Sequence, residues 1–592
     1  MAYHTKYNNK NMVERLLEFE HIFPGEESQP IANYLKDCSK EMIRGVSTFF
    51  LSFKNINTSH SNKKLIKELF CQENKKFGER VYAKILEFEE QGVQVNIINH
   101  YSSLRLFEIY YDLEDAEDSQ TPAEFEINLL KAYLLLNTEW TKMQEKAMAS
   151  VDKAKEELAE EYGVKSIPLV NLLVTFFPTF DKDNYDVNQV WLSQLYRSIL
   201  FLQFIADHPK GKKLWDTFLN IYNCKSWQDY LKKLIPITLS SLNFDNERHT
   251  TISVKNDECF DENCDFLEKI ILEEYGKEED FRSLREKPLY RIDKGEYRII
   301  FNLFVIQKLY KGLYFTLRNI NDSLPAKDRI SKNFRQFVTD NFSEQTLCYK
   351  VLDSIYPKCK VKKPGREILK MGITGEPDYY IRVDNNILLF ESKDVLISAE
   401  KKMSYDYEIY DKEFENKFYY HTDKDGKEII SAVVQLINNV KKVLNKEFPF
   451  DNQYREIKTK IYPILITYEM EYDTPGLNMI VNSWFEAELS ELKEKNPYLR
   501  TYQVNPLVII NIDTLIYYMD YLNQKVQLHT IIQQFLVNNN FFKSYYPFED
   551  LSFSFFLSNY IGTKYKQSRD NTNHKIIKDM IPSLFPEKFS QQ

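Results

Sequence analysis

Gly375–Asp394, GEPDYYIRVDNNILLFESKD, is the stretch whose reading decides the fold. A Pro-Asp pair (Pro377, Asp378) leads into a short apolar hairpin that ends in Glu391-Ser392-Lys393. A turn at Asn385-Asn386 suits the positive φ that a two-residue hairpin loop needs. That register sets Asp384 opposite Ile387, Tyr380 opposite Glu391 and Asp378 opposite Lys393. Strand side chains alternate, so Asp378, Tyr380, Arg382, Glu391 and Lys393 share one face. Tyr379, Ile381, Val383, Leu388 and Phe390 fall on the other, which is apolar and expected to bury. The first face then displays two carboxylates and an ammonium, a set that can hold a metal ion and act on a phosphate. The alternative is an amphipathic hairpin whose charges simply face solvent.

These residues resemble the PD-(D/E)xK nuclease superfamily, the fold of many restriction enzymes and recombination nucleases. The resemblance implies that Asp378 and Glu391 bind Mg²⁺, with Mn²⁺ as a substitute, and that Lys393 positions or activates the attacking water. The chemistry agrees: Mg²⁺ prefers carboxylate oxygens and keeps several waters, one of which can become the nucleophile. A lysine two residues from a metal-binding glutamate lies on the same strand face and offsets charge on the phosphorus.

Two further positions follow from the same resemblance. Its first strand is often preceded by a helix that supplies an acid, and Glu344 in FSEQTLCYKVLDSIY suits that role. At helical spacing Glu344 aligns with Cys348, Val351 and Ile355, so it leans inward and needs a partner such as a metal. The alternative is an acid near a helix N-terminus, stabilised by the dipole alone. Some branches carry a functional glutamine in the helix after the hairpin, and Gln435 in EIISAVVQLINNVKKVL matches it. Gln435 projects away from the stripe of Val433, Leu436, Ile437, Val440 and Leu444, so it faces either a cleft or water.

Upstream of Asp378 lie Lys358, Lys360, Lys362, Lys363, Arg366 and Lys370 against one acid, Glu367. This cluster is the candidate path for a nucleic-acid backbone. The net charge of −9 opposes indiscriminate DNA binding, because phosphate contacts need Lys and Arg. Two other basic runs, one from Lys63 to Lys84 and one from Lys564 to Lys578, read as ordinary solvated faces.

Downstream, apolar runs at Ile461–Thr467 and Leu507–Ile512 suit strands buried on both faces in the middle of a mixed sheet, and Asp513-Thr514 is positioned to cap the next helix. Residues 331–592 are therefore expected to form an α/β domain with a central mixed sheet, and the resemblance implies that it is a restriction-endonuclease-like αβββαβ core with a C-terminal helical extension. An insertion between Val395 and Gly426 reads as a lid or a surface helix, with Lys412 and Lys417 as backbone-contact candidates.

Residues 1–330 read mostly as helix, with segments at Asn11–Ile22, Ile31–Phe53, Lys76–Gln91, Val187–Ala206 and Tyr297–Leu317. The longest pattern runs from Pro122 to about Tyr162, opening after Thr121. Subdivisions are expected near 165 and within the acidic segment at 256–285. This region would sense, recognise substrate or bind a partner, a homodimer mate included.

At 592 residues and 43% hydrophobic the chain has material for several cores. Its seven cysteines lack a CxxC pair; Cys259, Cys264 and His249 make only a partial zinc set, so free thiols in a reducing cytoplasm are expected. No apolar run reaches membrane-spanning length. The expectation is a cytoplasmic, Mg²⁺-dependent nuclease acting on DNA, in restriction or antiphage defence. The alternatives are a nuclease module active only within a complex, and an inactive nucleic-acid-binding or scaffold protein.

Overall fold

The computed structural model describes residues 13–52, 59–113, 120–242, 250–275, 278–422, 428–524, 526–538 and 552–564, with Ile576, Met580 and residues 582–584. The chain divides into two compact units, Met1–Lys146 with Lys233–Lys308, and Ala147–Lys232 with Leu309–Gln592. The dividing lines therefore fall at three places in the sequence. Residues 256–285 lie inside the first unit, and the helices of 147–232 belong with the second.

The first unit is built from helices around a core that includes Leu17, Ile43, Val81, Ile85 and Leu106. Where one helix was expected over Asn11–Ile22, the strand Val13–Leu16 pairs in parallel with Val93–Asn96, followed by a one-turn helix, Phe19–Ile22. Asn137 pins that edge by donating to the carbonyls of Leu17 and Ile97, both at 2.8 Å. The pattern expected as one helix from Tyr297 instead begins in an antiparallel three-stranded sheet, of which Glu296–Ile299 is the central strand. The long helix does start where expected. Thr121 and Glu124 bond reciprocally across the first turn of Pro122–Lys153, as a capping box should.

The second unit carries the five-stranded mixed sheet. Its strands are β1 (Val361–Pro364), β2 (Tyr379–Val383), β3 (Asn386–Lys393), β4 (Lys460–Thr467) and β5 (Val508–Asn511). They lie side by side in the order β5-β4-β3-β2-β1. The β1–β2 and β2–β3 pairs are antiparallel, while β3–β4 and β4–β5 are parallel. Helices connect the parallel strands, as parallel pairing requires: Ala432–Leu444 before β4 and Leu477–Lys495 before β5. β4 is an interior strand, as its apolar run predicts. β5 is an edge strand, although both of its faces are buried.

The hairpin register differs from expectation by two residues. Val383 pairs with Asn386, so the loop is Asp384-Asn385, and Tyr379 stands opposite Phe390. Asp384 takes the positive φ of +53° that the tight turn demands, a conformation a short polar side chain tolerates. A shift of two preserves the faces, so the expected residues still lie together.

The exposure of those faces is a correction. Both are covered, and the side chains of Tyr379 to Arg382 and Ile387 to Glu391 are almost fully buried. On the Tyr379 side, the helix Tyr349–Ile355 packs close enough for Tyr379 to donate to Asp353 Oδ1 at 2.6 Å. On the other side, the helix Ala432–Leu444 runs over β3, with Gln435 reaching Lys393. Charge approaches the surface only where the strands end.

The helix ahead of β1 is widened. Val338–Cys348 forms a π-helix before returning to α geometry at Tyr349–Ile355. Such wide turns are rare and concentrate at functional sites. The insertion after β3 folds as helices Ala399–Lys402 and Tyr407–Phe418 and a hairpin of Tyr420–Thr422 with Glu428–Ile430. The helix after β5 is capped by Asn511, whose side chain accepts from Asp513 N, rather than by Asp513.

Candidate active site

Asp378 enters the site from the residue before β2. The first turn of the helix Gly365–Lys370 holds its backbone, since Gly365 N donates to Asp378 O at 2.8 Å. Its side chain is held by β3, where Ser392 N donates to Oδ2 at 2.7 Å. Glu391, 2% exposed, is inward-facing at the carboxyl end of β3. Its Oε1 accepts from Lys393 Nζ at 2.9 Å, whereas Oε2 is buried and meets no hydrogen-bond partner among the described residues. Lys393 Nζ also donates to Gln435 Oε1 at 2.8 Å. The structure thus brings Asp378, Glu391, Lys393 and Gln435 together.

Glu344 comes from the π-helical segment, and Tyr349 donates to its Oε1 at 3.0 Å. Burial, then the charge of Asp378, pushes its carboxyl up to about 8. Asp378 is held well above the usual carboxylate range by burial and by Glu391. Glu391 is also raised by burial, with Lys393 acting the other way. Burial would lower Lys393, but Glu391 and Asp378 more than offset that and hold its ammonium charged. These carboxylates repel one another in a dry setting, the arrangement expected where a cation is to be bound.

Among the described residues, no group of three or more His, Cys, Asp or Glu side chains is placed to hold a metal ion together. Glu344 is raised by the charge of Asp378 and in turn raises Glu391, without closing such a set. The residues present still fit Mg²⁺. That ion needs only one or two carboxylates beside its waters and the substrate phosphate, and Glu391 Oε2 is a buried acceptor awaiting a positive partner.

The basic cluster is divided in use. Lys358, Lys360, Arg366 and Lys370 are exposed, while Lys362 and Lys363 are half-buried. Lys362 pairs with Asp353 at 2.7 Å and Lys363 with Glu367 at 3.1 Å. Both lie on β1, an edge strand, where lysine and Pro364 also discourage edge-to-edge pairing. Arg366 stacks over the Tyr349 ring at 5.6 Å, which connects the cluster to the Glu344 helix. Of the backbone-contact candidates in the insertion, Lys412 is exposed and Lys417 pairs with Glu413 at 2.7 Å. Lys566, Arg569, His574, Lys575 and Lys578 of the C-terminal basic run, and His249 of the partial zinc set, lie outside the described residues. Cys259 and Cys264 are free thiols.

Sequence reading missed three contributors. Glu376 adds negative potential that raises both Asp378 and Glu391. Lys442 donates to the carbonyls of Thr374 and Gly375 at 2.6 and 2.5 Å, fixing the loop into Asp378. Gly365 is needed for close approach, since a Cβ there would lie 2.8 Å from Pro377 O. The available signals were the Pro364-Gly365 pair and the seven-residue, same-face spacing of Lys442 from Gln435.

Compared with known proteins, the chain matches no family model, no curated protein and no solved structure. The functional reading therefore rests on this site's own chemistry.

Proposed function

We propose that the protein is a metal-dependent nuclease that hydrolyses phosphodiester bonds, in DNA by preference, with its centre at Asp378, Glu391 and Lys393. The observation that carries the reading is the buried Glu391 carboxylate. One oxygen is paired to a charged lysine, the other has no hydrogen-bond partner among the described residues, and a second, half-buried carboxylate, Asp378, stands beside it.

In this reading Asp378 and Glu391 hold Mg²⁺, which would supply Lewis-acid polarisation of the phosphate and a more acidic water. Lys393, held charged between Glu391 and Gln435, donates to the attacking water or to a phosphate oxygen and offsets the charge gathering there. Gln435 orients that ammonium. Ser392 N fixes one Asp378 oxygen and leaves the other for the cation. The exposed Lys358, Lys360, Arg366 and Lys370 supply contacts for a phosphate backbone.

The test is cleavage of plasmid and single-stranded DNA in Mg²⁺ or Mn²⁺, with Lys393→Ala and Asp378→Ala alongside. Metal-dependent cutting that falls by roughly a hundredfold or more in both variants is expected, the scale of losing one transition-state donor. Cutting that survives both substitutions removes these residues from the site. A second reading, a nuclease active only within a complex, is favoured by the net charge of −9. A salt titration of DNA binding separates the two. A steep slope that flattens by about 0.9 per substituted lysine marks autonomous phosphate contact; no binding by the isolated chain points to a partner.

A further inference from the structure

The helix Ala432–Leu444 crosses the site with a polar stripe at Gln435, Asn439 and Lys442. Spacings of four and three residues keep these side chains on one side of a helix. The two ends of the stripe are accounted for, Gln435 by Lys393 and Lys442 by the Thr374 and Gly375 carbonyls. Asn439, between them, is not. It is fully buried, and its Nδ2 donates to Gln435 O at 2.9 Å, which fixes which way the carboxamide faces. Its Oδ1 is buried with no hydrogen-bond partner among the described residues.

The chain direction sets Asn439 on the Glu391 side of Gln435. Past the end of this helix, Phe448 and Phe450 pack on Tyr380, and Asp451 receives Arg382. The helix therefore runs back along the hairpin from Lys393 towards the turn. Four helical residues advance about 6 Å, and two strand residues about 6.6 Å. If Gln435 stands over Lys393, Asn439 stands over Glu391, whose Oε2 is the other unsatisfied acceptor. A third orphan, Thr467 Oγ1, belongs to the β4 residue in register with Lys393. Leaving a buried polar atom unpaired costs about 1–3 kcal/mol, so the two acceptors, Asn439 Oδ1 and Glu391 Oε2, call for a shared donor, while the Thr467 hydroxyl can itself donate or accept.

We infer that Asn439 is a positioning residue of this site, and that its Oδ1 and Glu391 Oε2 accept hydrogen bonds from one shared water. In the loaded protein that water would belong to the hydration shell of the divalent cation, so that Glu391 Oε2 holds the ion through it. The helix thereby fixes the free oxygen of Glu391 as Gln435 fixes Lys393. Only the cation arm rests on the metal-dependent reading above.

The experiment is a crystal structure of the full chain, metal-free and soaked in Mn²⁺, with Mn²⁺ calorimetry of wild type, Asn439→Leu and Asn439→Asp. A density peak within hydrogen-bonding reach of both oxygens is expected in the metal-free crystal. Asn439→Leu should weaken Mn²⁺ binding by about tenfold or more, and Asn439→Asp, which keeps an acceptor, should recover most of it. A water peak without any Mn²⁺ binding would support the shared water and retire the metal reading. No peak between the oxygens, a protein donor on either one, or wild-type Mn²⁺ affinity in Asn439→Leu would overturn the inference.

Discussion

Two ion clusters lie on the same face of the same hairpin, and they are built to opposite rules. Towards the turn, Asp451 takes Arg382 in a bidentate pair, Oδ2 to Nε at 2.5 Å and Oδ1 to Nη2 at 2.6 Å. Tyr380 donates to the same carboxylate at 2.7 Å, and Arg382 Nη1 reaches Asp384 O at 3.2 Å. One anion meets one cation, and the donors are used. Towards the strand ends, the single ammonium of Lys393 faces Asp378 and Glu391, and Glu344 and Glu376 crowd the same end with further carboxyl groups. One carboxylate oxygen there has no hydrogen-bond partner among the described residues. Burial alone does not distinguish structure from function in this sheet. Balance does: around Arg382 each charge and donor is matched, whereas around Lys393 several carboxyl groups crowd one ammonium.

Neutralising one carboxylate at each end sharpens this contrast most. Asp451→Asn leaves the Arg382 guanidinium buried without a counter-charge, and guanidinium cannot shed its proton. A loss of about 3–5 kcal/mol in unfolding free energy is expected, as for other broken buried pairs. Glu391→Gln instead removes one of several repelling carboxylates while Lys393 keeps Gln435. Stability of the metal-free protein should hold, or rise by up to about 1–2 kcal/mol, while cleavage is lost. Chemical denaturation followed by circular dichroism reads both. If the two variants are destabilised equally, the clusters do the same job and the contrast fails.

The same two clusters show what was legible in the sequence. The alternation of polar and apolar residues through Tyr379 to Lys393 gave the correct faces, because a register error of two residues leaves a period of two unchanged. The error arose at Asp384, where two adjacent asparagines outweighed an aspartate that also tolerates positive φ. Glu391-Ser392-Lys393 was readable since both charged residues sit on one strand. Asp451 was not: it meets Arg382 across 69 residues and a whole helix, and no local pattern encodes that pairing. Nor did composition show that residues 147–232 join the sheet-bearing unit, because helices far apart in sequence carry no mark of which core they enter. The strand at Val13–Leu16 was misread as helix for the same reason, since tertiary pairing with Val93–Asn96 overrode its local pattern.

Gly365 tests how finely the anionic end is set. A Cβ there would lie 2.8 Å from Pro377 O and 3.1 Å from Asp378 O, both backbone atoms that cannot swing aside. Gly365→Ala should cost about 1–3 kcal/mol as an overpacked contact. It should also lower cleavage by about a hundredfold, the effect of displacing a reacting group by an ångström. Gly45, within the helix Lys40–Ser52, has nothing within 4 Å of its would-be Cβ. Gly45→Ala should therefore stabilise, by about 0.5–1 kcal/mol. A neutral Gly365→Ala would mean that Asp378 is less tightly seated than its backbone hydrogen bond implies.

The smallest effect, and the most specific to the unbalanced end, is a pH slope. Glu344 has an ordinary carboxyl value of 4.5 when free and is pushed up to about 8 in the fold, by burial first and Asp378 second. Between those limits the folded, metal-free protein retains a proton that the unfolded chain has released. Stability from this group is therefore fully present below about 4.5 and is lost as pH rises through about 8. Asp378 and Glu391 shift in the same direction and add to the decline. A cation bound there must displace these protons, so Mn²⁺ affinity should climb over the same window and level off above it. Glu344→Gln should make both profiles shallower without abolishing them. The Arg382 cluster supplies a control, since its guanidinium stays charged throughout and Tyr380→Phe should leave both slopes as they are. An unchanged Mn²⁺ profile in Glu344→Gln would separate Glu344 electrically from the Glu391 site, despite the π-helical segment that carries it there.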